Sequence, residues 1–252
     1  MDIAILVIIA IFALIGLKKG FVKSILGLVI FAAAIFIATQ FSGQAKEMIF
    51  TYVPEEAIEG ISNSIQNTVE EKVPEAATVP AEGYTEENIT AMLKAVGIPE
   101  IIGSKLAPAM LEFFGNYEGV TASKALAMYL TDAIKNLIAG LLVFIVAYVV
   151  LLIIGKIIEK IFHFPGLNII NRLLGLVLGA VKAVAVVWVV LYAVSLIAPL
   201  NDKVTDLAAS APVSTWLIEN NPVAGIIAGT FDPDAFVDSL KELPEVVEKA
   251  AA

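Results

Sequence analysis

Lys182 is the residue whose type and setting point most directly to chemistry. It is the one charged side chain in Leu173–Ala198, a run of 26 residues, long enough to cross a hydrocarbon core of ~30 Å. A charge at that depth is costly and belongs on a face that meets other helices, a cavity or a solute path. Arg172, Gly175, Gly179 and Lys182 are spaced three, four and three residues apart, so they share one helix face. The Gly175-x-x-x-Gly179 pair lets a second helix approach closely, and the expected partner is the second helix, through Gly27 and Ala34. Counted from Asn171 as the membrane boundary, Lys182 lies eleven residues in, or ~16 Å along the axis. No membrane segment offers it a carboxylate. Its expected partners are backbone carbonyls, a hydroxyl such as that of Tyr148 or Tyr192, water in a cavity, or a bound anion; without one it can shed its proton. In the alternative reading the helix starts deeper and Lys182 snorkels to the headgroups beside Arg172.

Other chemistry is sparse. The single histidine, His163, lies in a short turn, where it is expected to cap a helix end rather than hold a metal. Asp232, Asp234 and Asp238 lack the ligand spacing and glycine of a calcium loop. There are no cysteines, which excludes disulfides, thiol catalysis and thiolate metal sites. No G-x-S-x-G, phosphate-binding glycine loop or H-E-x-x-H motif occurs, so no enzymatic activity and no cofactor are expected. The basic residues flank apolar helices and do not form a nucleic-acid surface.

The elements that must position Lys182 follow from the apolar pattern. Of 252 residues, 59% are hydrophobic and 16% charged, with a mean hydropathy of +0.88; soluble domains carry about 45–50% apolar and ~25% charged residues. The excess falls in four blocks, which predicts an all-α polytopic membrane protein with four transmembrane helices in two hairpins. Residues 1–41 form the first hairpin. Its first block, Ile3–Leu17, has 15 residues and spans if Lys18 and Lys19 snorkel. A signal peptide is the competing reading, but Asp2 precedes the run and no small-residue cleavage site follows. Gly16-Leu-Lys-Lys-Gly20-Phe21 makes the turn, Gly16 ending one helix and Gly20 starting the next, and the second block ends at Phe41. Residues 133–198 form the second hairpin. It contains the uncharged run Leu137–Ile154, in a helix of ~40 residues capped by Thr121 or Ser123, a turn at Phe164-Pro165-Gly166, and the Lys182 helix from near Asn168.

Residues 42–132 form an outer loop with 5 basic and 14 acidic residues. Three amphipathic helices are expected in it: one from Pro54 with Ile58, Ile61, Ile65 and Val69 on its apolar face, one from Thr85 to Gly97, and one over Pro99–Phe114 interrupted at Pro108. A packed cap is one outcome and a solvated loop the other. Residues 199–252 form an acidic tail with 3 basic and 9 acidic residues, broken at Asn221-Pro222 and Asp232-Pro233.

Charge sets the expected orientation. The two short turns hold Lys18, Lys19, Lys23, Lys156, Lys160 and Arg172 against one acid, Glu159. Short basic loops stay cytoplasmic, so the loop, the tail and both termini are expected outside the cytoplasmic membrane. Ile25-Leu-Gly-Leu-Val-Ile30 matches Leu173-Leu-Gly-Leu-Val-Leu178, which suggests either parallel repeats or chance similarity among leucine-rich helices.

Gly16-x-x-Lys19-Gly20-Phe21 and, about 150 residues later, Asn171-Arg172-x-x-Gly175-x-x-x-Gly179-Ala-x-Lys182 resemble the colicin V production protein family, CvpA. That resemblance covers the four helices, roughly half the chain. It implies a bacterial inner-membrane protein with about four helices and a part in colicin or toxin production and export, or in envelope maintenance. Asn171 stands where the family often has aspartate, so an ion pair from that position to Arg172 is lost. The outer loop is longer than in typical members. Two functional readings follow. In the first, the chain is an accessory protein working in the bilayer as a homo-oligomer or with membrane or envelope protein partners. In the second, it is a small oligomeric transporter or channel whose path is lined by the Gly175/Gly179/Lys182 face.

Overall fold

A computed structural model of the protein describes residues 2–161, 169–200, 212–228, 238, 239 and 241. The expected roles of His163, the Phe164–Gly166 turn, Asn168, Asp232-Pro233 and Asp234 lie outside the described residues. The described chain is helical: α1 (Asp2–Phe50), α2 (Glu55–Lys72), α3 (Glu86–Ala95), α4 (Glu100–Gly115), α5 (Ala122–Ile161), α6 (Ile169–Ile197), α7 (Pro212–Glu219) and α8 (Pro222–Ala228), with short 3-10 turns between some of them. No strand occurs among the described residues; Pro80 and Thr121 form an isolated bridge. Three helices are long and apolar enough to cross a membrane: α1, α5 and α6. The chain divides into two compact units, one built from Met1–Asp2, Val53–Ile134 and Trp188–Ala252, the other from Ile3–Tyr52 and Lys135–Val187.

The second unit is packed in the manner of membrane helices. Its buried positions are mostly small (Gly16, Gly20, Ala34, Ala38, Ala139, Ala147, Ala183), while Ile3, Leu14, Phe36, Val146 and Ile170 are exposed. Lipid solvates large aliphatic side chains as well as a protein core does, so small residues go inside to let backbones approach. Within α1 only Gly20 leaves helical geometry, at φ 74 and ψ 173, a region closed to residues with a Cβ. The turn expected over Gly16–Phe21 is thus a break at Gly20 alone, with Gly16 still helical. The segment after it continues past Phe41 to Phe50, because Gln44, Ala45, Lys46, Glu47 and Met48 are good helix formers.

The first unit has an apolar core. Ile65 and Val69 of α2, Ile89, Met92 and Leu93 of α3, Ile102, Met110 and Phe114 of α4 and Leu126 and Leu130 of α5 are all buried. The segment between α1 and α5 is therefore packed rather than solvated. Glu55 and Glu56 open α2 and Lys72 closes it, each placed to complement the helix dipole. Thr85 caps α3 through a capping box with Asn88. The helix ends in a Schellman motif: Gly97 has φ 96, its N–H donates to the Lys94 carbonyl, and the Ile98 N–H donates to Leu93. The expected interruption at Pro108 is absent, and α4 runs through it. A proline costs an α-helix about 3 kcal/mol; burial of Leu106, Ala107, Met110 and Phe114 on both sides of it holds the helix together.

The tail joins this unit. Val213, Trp216, Leu217 and Ile218 of α7 are buried. The Asp2 carboxylate accepts from the Val213 and Ser214 N–H groups, both at 2.9 Å, so a residue 211 positions away caps α7. Asn221 is fully buried. Its amide donates to the Trp188 carbonyl and its side-chain oxygen accepts from Val223 N–H, both at 3.0 Å. Lys105 Nζ donates to the Asn221 carbonyl at 3.1 Å, and burial pushes the Lys105 ammonium below its ordinary pKa. The expected break at Asn221-Pro222 is the boundary between α7 and α8. Asp238 is exposed and pairs with Lys241.

Candidate functional site

The glycines of α6 meet α1. A Cβ built at Gly175 would run into the Gly16 carbonyl oxygen and lie 2.7 Å from the Gly20 carbonyl carbon. One built at Gly179 would meet the Phe12 carbonyl and lie 3.1 Å from the Ala13 Cα; one built at Gly16 would meet Gly175 in return. Two glycine pairs, each at a spacing of four, face one another, which is the arrangement that brings helix backbones together. Gly27 does not take the part in this contact that was expected of it. A Cβ at Gly27 would meet nothing within 4 Å. Phe31, one turn on from Gly27, turns its ring to the Lys182 ammonium, so large side chains rather than backbones meet at that level. Gly27 and Gly175, equivalent in the proposed repeat, are thus in unlike surroundings.

One turn before Gly175, Asn171 Oδ1 accepts from the Phe21 N–H at 3.0 Å. Gly20 breaks the helix, so Phe21 N–H is one of the donors a new helix start leaves without an intrahelical partner. Asn171 supplies that partner from 150 positions away. The two motifs singled out in the sequence therefore meet, and an asparagine oxygen performs this capping as an aspartate would. Lys19 and Arg172 are exposed. Contacts of α6 move down one segment of α1, from Gly20 and Gly16 to Phe12, and up the other, from Phe21 to Gly27.

Two turns beyond Gly175 the Lys182 ammonium lies among aromatic rings. Its Nζ donates to Tyr148 Oη at 2.8 Å and reaches the Gly27 carbonyl at 3.4 Å. It also lies 5.2 Å from the Phe31 ring centroid and 5.0 Å from that of Tyr148. Phe144 stacks on Tyr148 at 5.5 Å and packs edge-on to Phe31 at 5.6 Å. Of the two hydroxyls considered, Tyr148 takes the role. Lys182 is half-buried and, among the described residues, makes no ion pair. A charged hydrogen bond is worth about 1.5–3 kcal/mol and a desolvated cation–π contact up to about 2 kcal/mol. Together these are of the size of the ~2.5–3.5 kcal/mol that a lysine at the centre of a membrane helix would cost. Phe31 and Phe144 were missed in the sequence. The available signal was the Phe144/Tyr148 pair at a spacing of four, which puts two rings on one helix face.

The site can hold a fixed positive charge on an aromatic wall, close to a backbone-on-backbone helix crossing. No curated protein and no solved structure gives a significant match to the chain. The family model for Colicin V production protein matches residues 1–65 and 92–222. That match takes in all three long apolar helices, much of the outer loop and α7, so it extends well beyond the half of the chain expected to carry the likeness. It leaves out 66–91, within the segment between α1 and α5. With more than half of its length matched, and with both motifs joined at the Asn171–Phe21 contact, the chain belongs to the colicin V production protein family.

Proposed function

We propose that the protein is an accessory component of the bacterial cytoplasmic membrane that supports production and export of colicin V-type peptide toxins, or maintenance of the envelope, without catalysing a reaction. Family membership is the observation that carries this reading. Four spans in two hairpins, with both termini outside, are part of the proposal. The break at Gly20 and the opposite progress of α6 contacts along the two segments of α1 support the first hairpin, and the basic residues of the short turns support the orientation. Single cysteines introduced at Gly83 and Ala252 should react with an impermeant reagent in intact cells whose outer membrane, if present, is permeabilised. One at Phe164 should react only after lysis. Labelling of Phe164 in intact cells would reverse the orientation.

A homo-oligomer, or a complex with other membrane or envelope proteins, is the form in which four helices with one intramembrane base would act. A solute path along the Gly175/Gly179/Lys182 face is the weaker reading, because the packing of Gly175 and Gly179 against α1 leaves no room for a solute beside them. Deletion of the gene in a toxin-producing host tests the role. Secreted toxin should fall by about tenfold and return with a plasmid copy. Unchanged toxin secretion together with unchanged detergent sensitivity of the cells would remove the proposal.

A further inference from the structure

We infer that the groove between the first segment of α1 and the start of α6 is a seat for one anionic phospholipid, with its phosphate between Lys18 and Arg172. The groove has a volume of about 540 Å3 and is lined by Leu14, Leu17, Lys18, Ile169, Arg172 and Leu173, within the size range of ligand sites, about 300–1,000 Å3. It lies wholly in the unit formed by Ile3–Tyr52 and Lys135–Val187. Its two charges are both positive, and among the described residues neither forms an ion pair or a hydrogen bond. Its other four lining residues are apolar, and Leu14, Ile169 and Leu173 are largely exposed. Both cations line the one groove, and the Asn171–Phe21 hydrogen bond ties the two helices one residue from Arg172 and three from Lys18. Leu14 lies one turn further into the apolar run from Lys18.

This arrangement fits an amphiphile. Arg172 can hold a phosphate through two parallel N–H donors while Lys18 supplies a point charge. An acyl chain would cover Leu14, Leu17 and Leu173. A free phosphate would use the charges and leave the apolar wall bare. A zwitterionic lipid would bring its own ammonium to a doubly positive site. Basic grooves beside membrane helices select anionic headgroups for this reason. The inference depends on the chain being a membrane protein and not on its proposed part in toxin export.

Native mass spectrometry of the full chain in detergent tests it, with phosphatidylglycerol, phosphatidylcholine and inorganic phosphate as probes. One phosphatidylglycerol should be retained per chain, in preference to phosphatidylcholine by about tenfold or more. Lys18→Gln and Arg172→Gln should each reduce retention several-fold and together abolish the preference. Lys156→Gln, which removes an exposed charge of α5 outside the groove, should change nothing. Inorganic phosphate in excess should not displace the lipid. Equal retention of phosphatidylcholine, retention by the double variant, or displacement by phosphate would each overturn the inference. If the double variant loses helicity, Leu173→Trp decides the matter: it fills the groove with both charges kept, and undiminished lipid retention would refute the seat.

Discussion

Gly175→Ala is expected to lower the abundance and heat stability of the protein sharply, although alanine is the better helix former. Propensity alone favours the substitution by about 0.8–1 kcal/mol. Packing opposes it. The added methyl would meet the Gly16 carbonyl and lie within 3.0 Å of Gly20 backbone carbons, and backbone cannot swing aside as a side-chain tip can. Overpacking of this kind costs about 1–3 kcal/mol where neighbours can move, so packing outweighs propensity. Gly179→Leu should be worse, because a larger group enters the approach of Phe12 and Ala13 to α6. Gly27→Ala supplies the contrast, since its Cβ has open space and the variant should be at least as stable as the parent. The measurement is the amount of protein in isolated membranes and its aggregation temperature in detergent. Equal behaviour of Gly175→Ala and Gly27→Ala would mean that the crossing is looser than described.

The same crossing marks the limit of what the sequence discloses. That α6 must receive a close neighbour was legible, because a glycine pair at a spacing of four has few other uses in a membrane helix. Which neighbour was not, because Gly16, Gly20, Gly27 and Ala34 all offered small residues and the choice depends on where Gly20 turns the chain. The Lys182 partners divide in the same way. Tyr148 was legible as a hydroxyl in an apolar helix. Phe31 and Phe144 were not, since aromatic residues in such helices are ordinarily lipid-facing or core. Capping signals were the most reliable: Thr85 with Asn88 and Gly97 sets both ends of α3 through local geometry that no tertiary contact need supply. Pro108 misled because its local cost is overridden by long-range burial. The tail was opaque for a related reason. Nothing local to Val213 and Ser214 announces a cap that arrives from Asp2, and the acidic balance of the tail hides the apolar face of α7.

Lys182→Met is expected to leave the protein folded and inserted while abolishing its biological effect. The substitution keeps the length of the side chain and removes its charge. Loss of the Tyr148 hydrogen bond and the two ring contacts is destabilising, but the insertion cost of the charge, ~2.5–3.5 kcal/mol, disappears with it. The two sides are of similar size, so stability should change by less than about 2 kcal/mol. If the fold does not need this charge, the variant separates its effect from packing. Toxin secretion and detergent resistance of a deletion strain should therefore fail to recover with Lys182→Met, at normal protein abundance, and should recover in part with Lys182→Arg. Tyr148→Phe keeps the ring and removes the hydroxyl that accepts from the ammonium, so it should give an intermediate loss. Full recovery with Lys182→Met would show the charge to be incidental. Loss of the Lys182→Met protein from the membrane would show instead that the ammonium holds α6 to α5 and α1, and that the lysine is structural.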